Sequence, residues 1–254
     1  MAKIMAKHFA GGAGRRQSRE LAILYEDDAI VAVNKPPGLL AVPVEGSDAV
    51  SAWSLVSADL RLRRQRCFVV HRIDRFTSGI LLFAKSPSDR DVLVQQFLAH
   101  SPVRRYLALV RGHLSEREGT LVHYFQREGM FQKLSRSGSR QAARAELRYV
   151  VRQQLRSASL VEVTLVTGLQ NQIRVQLLAM GHPVIGDRKY CPAEAHERRI
   201  ARVALHASYL GFLHPRSGEQ VCLECDPPRD FDSLLRQLQP RRGKRPGSAG
   251  SRAS

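Results

Sequence analysis

The sequence predicts an α+β fold in which a large mixed, mainly antiparallel central sheet carries helices at its flanks. Many short apolar runs of strand length lie between turn residues, and only a few segments repeat apolar residues at helical spacing. The 254 residues, 43% of them hydrophobic, suffice for one large domain with a sizeable core. We expect this domain over residues 19–239, with a basic flexible arm over residues 1–18 and a basic disordered tail over residues 240–254.

The first predicted elements are short and end at recognisable turn residues. Residues 29–33 are a predicted strand, which follows the short run at residues 23–25 and an acidic turn at residues 26–28. The Lys-Pro-Pro-Gly loop at residues 35–38 ends the second strand, because proline cannot continue a central ladder. A short helix is predicted over residues 51–60.

Two apolar runs, over residues 68–70 and 80–84, enclose a polar connection and are predicted to be buried strands. The ionisable residues of this connection are His71, Arg72, Asp74 and Arg75. A carboxylate flanked by two arginines is expected to stay ionised, because nearby positive charge favours the charged form. By pattern alone, Asp74 is either a structural ion-pair partner at a strand end or a functional carboxylate.

The rest of the chain contains further strands and three helices. A helix starts at Ser86, which caps it, with Pro87 in its first turn. A second helix, over residues 171–180, stops at Gly181. A short third helix covers residues 231–238. The predicted strands cover residues 103–110, 119–122, 145–151 and 160–166.

The charge balance restricts the class of partner. A net charge of +17 and an isoelectric point of about 10.7 favour a polyanion, either nucleic acid or a membrane surface. The arm carries four of these charges and the tail five, which leaves +8 on the body. Because the sequence has neither a run of ~18 apolar residues nor the ~7–15-residue apolar core of a signal peptide, we expect a cytoplasmic protein with no membrane partner.

The four cysteines do not follow the pattern of a metal site. Cys222 and Cys225 form a single C-x-x-C, whereas a structural zinc site commonly uses two such pairs. They lie in a predicted strand, in which residues three apart point to opposite faces. We expect reduced thiols, no metal and no cofactor.

The central stretch carries the most specific signal in the chain. It reads His-Arg-Ile-Asp over residues 71–74, then Thr-Ser-Gly-Ile-Leu-Leu over residues 77–82 and Ala-Lys over residues 84–85. This run closely resembles the signature of the RluA-type pseudouridine synthases, and the likeness extends over about residues 22–238. The resemblance implies an RNA uridine-to-pseudouridine isomerase with the pseudouridine synthase catalytic fold. The domain over residues 19–239 is then the catalytic domain, with Asp74 as its catalytic residue.

Two further motifs extend the resemblance. The strand over residues 103–110 contains Tyr-Leu-Ala, as in the family strand that supplies an active-site tyrosine, which implies that role for Tyr106. Gln-Ile-Arg-Val at residues 172–175 is similar to the third family motif, so Arg174 is the arginine expected to pair with the catalytic aspartate. Four residues depart from that motif and affect the expected substrate choice and rate, not the reaction class: Leu169, Gln170, Asn171 and Gln176.

The resemblance also implies RNA contacts. A uridine inside a helix must be flipped out to be reached, and Arg72 is expected to fill the vacated stack, with His71 assisting and Arg75 also contacting RNA. In the loop that resembles the opening segment of the family, Lys35 is either a phosphate contact or an exposed turn lysine. Two basic stretches, residues 61–66 and 127–144, are either RNA-facing or ordinary solvated surface.

Pseudouridine formation detaches uracil at its N1–C1′ bond, rotates it and rejoins it through C5. A carboxylate can attack C1′, support charge as the bond breaks, or remove a proton from C2′, and the sequence does not choose among these routes. Tyr106 would stack on the uracil or help to remove the C5 proton. The expected partner is RNA, either ribosomal or transfer RNA, and we expect a monomer.

Two alternatives stay open from the sequence. The altered third motif suggests a catalytically weak RNA-binding or ribosome-assembly protein, although the retained Asp74, Tyr106 and Arg174 argue against it. A base-excising glycosidase would usually need a second carboxylate for acid–base work, and no paired acidic motif accompanies Asp74.

Overall fold

The computed structural model describes residues 21–240, except residues 130, 137, 138, 140 and 141. The strands formed by these residues are β1 (Ala22–Glu26), β2 (Ile30–Lys35), β3 (Phe68–Val69), β4 (Ser78–Ala84), β5 (Val103–Arg111), β6 (Glu118–Glu128), β7 (Phe131–Ser135), β8 (Ala143–Gln154), β9 (Ala158–Leu165), β10 (Leu205–Leu213) and β11 (Gln220–Glu224). The α-helices are α1 (Ala52–Leu62), α2 (Pro87–Leu98), α3 (Gln172–Ala179) and α4 (Arg229–Leu238), with a short 3-10 helix at Pro192–His196.

A single sheet contains all the strands of the described chain. Its order is β1-β2-β4-β10-β5-β9-β8-β6-β7, with β11 paired to β10 and β3 paired to β4. The pairing of β4 with β10 is parallel, and the other named pairings are antiparallel. The predicted α+β fold, with a mixed, mainly antiparallel sheet and flanking helices, is therefore confirmed.

Helices α1 and α2 cover opposite faces of β2 and β4. Val56 and Leu60 of α1 are buried in the cluster that contains Phe83, whereas Leu93 of α2 is buried in the cluster that contains Leu82. Because successive residues of a strand point to opposite faces, this arrangement buries every residue of β4.

Capping residues begin both of these helices where the sequence predicts. The side chain of Ser51 accepts a hydrogen bond from the backbone N–H of Ser54 at 3.1 Å. Ser86 accepts one from the backbone N–H of Asp89 at the same distance, 3.1 Å. Each cap satisfies one of the backbone donors that a helix leaves free in its first turn.

The second half of the sheet packs against α3 and α4. Ile173 and Leu177 of α3 share one hydrophobic cluster with Phe231 and Leu234 of α4 and with side chains of β5, β8 and β9. Helix α3 ends before Gly181, whose φ of +84° is the left-handed conformation that commonly stops a helix. This packing fixes α3 beside the centre of the sheet.

Strand β10 is the central element that the sequence analysis did not predict. It lies between β4 and β5, and its His206 is fully buried. The ring of His206 is hydrogen-bonded to the Ser78 hydroxyl through Nδ1 at 2.9 Å and to the Cys225 carbonyl through Nε2 at 2.9 Å. These hydrogen bonds allow a polar residue to lie inside a buried strand. His206 interrupts the apolar pattern from which the strand would have been predicted.

The parallel pairing of β4 with β10 decides where the polar connection lies. It aligns Ser78 with His206 and Gly79 with Ala207, and β10 in turn pairs with β5. The residues just before β4 are therefore held at the middle of the sheet, near β5 and α3.

Some sequence predictions fall outside the described residues. The predicted arm over residues 1–18 does, and so does the predicted tail apart from Pro240, so the domain limits stay predictions. Part of the basic stretch 127–144 belongs to a hairpin of β6 and β7. In the described part of the chain, no helix combines the length and the apolar character needed to span a membrane.

Gly79 makes the close approach of β4 and β10 possible. Its φ is +112°, and a Cβ atom there would lie 2.2 Å from the carbonyl oxygen of Ala207.

Because overlap and backbone strain add, we expect Gly79→Ala to lower the free energy of unfolding by about 4 kcal/mol in urea titrations. Gly218→Ala is the matched control, since its φ is +71° and a Cβ atom there would have no other atom within 4 Å. Its expected loss is about 1 kcal/mol, and equal losses at both positions would contradict the packing argument.

Candidate active site

A cleft of about 440 Å³ opens where the connection before β4 meets β5, the end of α2 and the start of α3. Polar and apolar side chains of all four segments line it. The lining includes Val70, His71, Arg72, Ile73, Asp74, Thr77, Phe97, Arg104, Tyr106, Leu169, Gln170, Asn171 and Arg174. The cleft thus brings together five residues that the sequence assigned to the site: Asp74, Tyr106, Arg174, Arg72 and His71.

Asp74 and Arg174 form an ion pair in this cleft. Nη1 of Arg174 lies 3.5 Å from Oδ2 of Asp74, and the side chains of Arg174 and Asp74 are 8% and 24% exposed. The same guanidinium donates through Nε and Nη2 to the two carboxylate oxygens of Asp187, at 2.8 and 2.6 Å. Although burial alone would lower it, the hydrogen bonds and charge of Asp187, with Asp74 adding to them, raise the pKa of Arg174.

Asp187 is the site residue that the sequence analysis missed. Its side chain is 2% exposed, and its Oδ1 also accepts the backbone N–H groups of Lys189 and Tyr190 at 3.2 Å each. A buried arginine needs a carboxylate that matches its planar donors. A signal was present, because Arg174 is the only charged residue of α3 and a buried charge requires a partner, but spacing along the chain does not identify that partner.

Asn171, one of the departures from the third motif, has a structural place in the site. Its φ of +55° is left-handed, a conformation that asparagine tolerates better than most residues. Its Oδ1 accepts from Nη1 of Arg174 at 2.8 Å, and its Nδ2 donates to the hydroxyl of Tyr190 at 3.0 Å. The amide therefore helps to orient the guanidinium that faces Asp74.

A second departure, Gln176, is buried and fully engaged. Its Nε2 donates to the carbonyl oxygens of Leu121 and Ala145 at 3.0 and 3.2 Å, and its Oε1 accepts from Gln172 at 3.0 Å. These bonds tie α3 to β6 and β8. The other two departures, at positions 169 and 170, line the cleft itself, where they can affect what it binds.

Tyr106 projects from β5 into the cleft and is 9% exposed. Burial raises the pKa of its hydroxyl to about 12, with Arg104 opposing this effect and Asp74 adding to it. The phenol is therefore neutral at physiological pH. Its side chain lines the same space as Asp74, which a substrate would occupy.

Arg104 is a further cleft residue that sequence reasoning did not single out. It is 8% exposed, and Nη2 donates to the Val166 carbonyl at 3.2 Å. Its buried Nε has no hydrogen-bond partner among the described residues. Gly168 leaves room for this guanidinium, since a Cβ there would lie 2.5 Å from Nη1.

The two cleft residues predicted to contact RNA, Arg72 and His71, differ in exposure and in charge. Arg72 is exposed and lines the cleft. His71 is half-buried, stacks on Phe97 at 4.6 Å between ring centroids, and accepts the backbone N–H of Leu82 through Nε2 at 3.1 Å. Burial, with Arg104 adding to it, lowers the pKa of His71 to about 3. His71 is thus a neutral wall of the cleft and not a cationic phosphate contact.

Arg75 lies outside the cleft lining. Its Nε donates to the carbonyl of Gly38 at 2.9 Å, and its guanidinium lies 5.5 Å from the ring centroid of Phe76. Its side chain is exposed, so it is accessible to a bound polyanion. The bond to Gly38 joins the proline-rich loop to the connection that carries Asp74.

The prediction for Lys35 was wrong in both of its forms. Lys35 is fully buried, and its Nζ donates to the carbonyls of Pro36, Leu39 and Arg75 at 2.9, 2.9 and 3.0 Å. Burial, with Arg202 adding to it and Asp74 opposing, lowers the pKa of Lys35 to about 7. Its three hydrogen bonds all lie inside the protein, so the side chain joins two loops and does not reach a phosphate.

The described residues form no cluster suited to a metal ion. Among them, no three His, Cys, Asp or Glu side chains are grouped so that they could hold one. The four cysteines are free thiols.

Comparison with known proteins identifies the family. The family model described as RNA pseudouridylate synthase matches residues 29–179, more than half of the chain. The chain belongs to this family. It is an RNA pseudouridine synthase, an isomerase, as the central motif implied.

Curated relatives agree over most of the chain. Ribosomal large subunit pseudouridine synthase D of Zymomonas mobilis is 35% identical over 237 residues, covering 87% of this chain and 74% of the relative. The dual-specificity RNA pseudouridine synthase RluA of Pasteurella multocida is 34% identical over 212 residues, covering 82% of this chain and 93% of the relative.

Solved structures agree with the fold. Human RNA pseudouridylate synthase domain containing 1 superposes with a TM-score of 0.67 at 26% identity, covering 89% of this chain and 97% of that one. Human RNA pseudouridylate synthase domain containing 4 superposes with a TM-score of 0.73 at 22% identity, covering 85% and 92%. The latter likeness concerns the fold alone.

The buried pair of Arg174 and Asp187 is expected to dominate the stability of the site. Asp187→Asn puts an N–H₂ group against guanidinium donors and leaves a buried cation without its main partner. We expect the free energy of unfolding to fall by about 3 kcal/mol, measured by urea titration. Asp91→Asn is the control: Asp91 also accepts from two nitrogens of one arginine, Arg90, but the side chains of Asp91 and Arg90 are 63% and 41% exposed. Its expected loss is about 1 kcal/mol, and a comparable loss for the two variants would contradict the argument.

Proposed function

We propose that this protein converts specific uridines in structured RNA to pseudouridine, with Asp74 as the catalytic carboxylate. One observation carries the proposal: the Asp74 carboxylate lies in the 440 Å³ cleft, 3.5 Å from a buried guanidinium and in the same cleft as a neutral tyrosine. A cleft of this size takes a single nucleoside better than a duplex, since ligand pockets span ~300–1,000 Å³. The target uridine therefore has to leave its stack to enter.

Arg174 places positive charge beside Asp74. Its Nη1 lies 3.5 Å from Oδ2 of Asp74, and its guanidinium is itself held by Asp187 and Asn171. As a carboxylate, Asp74 can attack C1′, support positive charge on the sugar as the N1–C1′ bond breaks, or take a proton from C2′. All three routes start from the same anion, so the proposal does not depend on which one is followed.

Tyr106 would act on the base. Its ring, in the same cleft as Asp74, can stack on the detached uracil while it turns and presents C5 to the sugar. Its hydroxyl can take part in removal of the C5 proton, although a pKa of about 12 keeps the phenol protonated before the reaction. Stacking and proton transfer both require the position that Tyr106 occupies.

The RNA would be held by charge around the cleft. The chain carries a net charge of +17, and binding of this kind weakens as salt rises because counterions are released from the phosphates. A relative from Zymomonas mobilis is named for the large ribosomal subunit, which supports ribosomal RNA, while transfer RNA stays open. We further propose that the protein acts in the cytoplasm as a monomer, with the domain over residues 19–239 as its catalytic unit.

Asp74→Asn tests the catalytic proposal. The amide keeps the shape of the side chain but cannot attack, carry negative charge or accept a proton. We expect release of tritium from C5-labelled uridine in transcribed ribosomal and transfer RNA to fall more than about a thousandfold, or ~4 kcal/mol of transition-state stabilisation. RNA affinity should stay within about threefold of wild type. Undiminished tritium release by Asp74→Asn would reject the catalytic role of Asp74, and wild-type protein that binds RNA tightly but releases no tritium would favour the assembly-protein alternative.

Arg72→Ala tests the base-flipping proposal. If Arg72 fills the vacated stack, its loss should slow isomerisation of a uridine in a helix about tenfold more than that of the same uridine in an unpaired loop, since only the first must be unstacked. Arg75→Ala is the matched control, because it removes the same charge three residues away and outside the cleft lining. Single-turnover rates on the two RNAs measure the effect. Equal slowing by both variants on both RNAs would show that Arg72 supplies charge only.

A further inference from the structure

A second cavity, of about 300 Å³, lies between α1 and β3, and none of its lining residues belongs to the cleft. Its wall combines two aromatic side chains, Trp53 and Phe68, with Arg61, Gln65 and Arg66. Aromatic faces with arginines around them are the composition on which proteins stack unpaired nucleobases. The volume is at the lower end for ligand pockets and suits a single base.

The wall of this cavity is held rigidly by the end of α1. The backbone N–H of Gln65 donates to the Leu60 carbonyl at 2.9 Å, which turns the chain back across the helix end. The indole N–H of Trp53 donates to the Cys67 carbonyl at 3.0 Å. With its only polar group satisfied, Trp53 offers a fixed apolar ring to the cavity, so little conformational entropy is lost when a flat ligand binds.

Gln65 contributes a polar group that the fold does not satisfy. Its Oε1 is buried and has no hydrogen-bond partner within the described residues. An unsatisfied buried acceptor costs ~1–3 kcal/mol, and a rotation about the soft terminal torsion of glutamine would present it to a ligand in the cavity. A glutamine amide offers one acceptor and one donor, which match the adjacent amino group and ring nitrogen of adenine.

The two arginines at the rim of the cavity are available to bind a phosphate, whereas Arg63, which lies between them in sequence, is not. Arg63 is engaged in ion pairs with Glu26 and Asp59, at 2.6 and 2.5 Å. Arg61 and Arg66 form no ion pair within the described part of the chain and are exposed. The guanidinium of Arg66 lies 4.9 Å from the ring centroid of Phe68, beside the place where a base would stack and its phosphate would follow.

We propose that this cavity is an accessory nucleotide site that holds one unpaired base of the bound RNA, preferably adenine. The base stacks on Trp53, its amino edge pairs with the Gln65 amide, and its phosphate lies against Arg61 and Arg66. The inference rests on the proposed function for the identity of the ligand as substrate RNA. Phe68 of this cavity and Val70 of the cleft are two residues apart, roughly 7 Å on an extended chain, so one RNA can occupy both places.

Trp53 is the only tryptophan in the chain, so intrinsic tryptophan fluorescence reports on this cavity alone. Full-length protein is titrated with hexa-adenylate, hexa-uridylate and inorganic polyphosphate. We expect saturable quenching by hexa-adenylate, about tenfold weaker binding of hexa-uridylate, and no quenching by polyphosphate, which has charge but no base to stack.

Variants identify the groups involved. Gln65→Leu, and separately the double variant Arg61→Ala with Arg66→Ala, should each weaken binding of hexa-adenylate roughly tenfold. The double variant alone should also flatten the salt dependence of binding, because it removes two phosphate contacts. Arg64→Ala is the matched control, since Arg64 is an exposed arginine of the same segment that does not line the cavity. It should stay within about twofold of wild type, and circular dichroism checks that each variant is folded.

The outcomes separate this proposal from the proposed function. Absence of quenching by hexa-adenylate in wild type, equal quenching by polyphosphate, or equal effects of Arg64→Ala and the double variant would each overturn the accessory site. Asp74→Asn should quench as wild type does, because the readout needs no chemistry. Quenching that follows the predicted pattern in a protein that never isomerises uridine would reject the proposed function and leave the nucleotide site standing.

Discussion

The contact between Arg174 and Asp187 is the interaction on which the candidate site depends. A guanidinium 8% exposed beside a carboxylate 2% exposed is stable only with matched partners, because burying charge is costly. Asp187 takes two of its nitrogens and Asn171 binds the third, which fixes the direction from which Nη1 faces Asp74. The electrostatics of the proposed reaction thus follow from a structural ion pair outside the signature motif.

Much of the fold could be predicted from the sequence because its local signals agree with one another. The serine that caps α2, the glycine after α3 and the apolar runs in β4 and β5 each predict what the structure contains. The apolar runs between turn residues predicted the mixed sheet, and the cleft contains Asp74, Tyr106 and Arg174, which the three family motifs singled out. In each case, the determinant lies within a few residues of the element that it specifies.

The remaining features depend on contacts between residues far apart in sequence. Strand β10 was missed because His206 interrupts its apolar pattern. His206 can be buried there because it is hydrogen-bonded to Ser78, 128 residues away. Lys35 looks like a turn lysine until the fold brings the Arg75 carbonyl to its Nζ. His71 becomes a neutral wall because burial, with Arg104 adding to it, lowers its pKa, and its ring stacks on Phe97. Charge patterns along a chain indicate a polyanionic partner, but they do not tell which cations the fold uses internally.

Asp74 is the proposed catalytic residue of an isomerase whose substrate is RNA. The most direct test is mapping of pseudouridines in total RNA from cells that lack the gene, complemented with wild type or with Asp74→Asn. We expect at least one pseudouridine to disappear on deletion and to return with wild type but not with the variant. An unchanged pseudouridine map after deletion, or full restoration by the variant at equal protein levels, would contradict a catalytic role for Asp74.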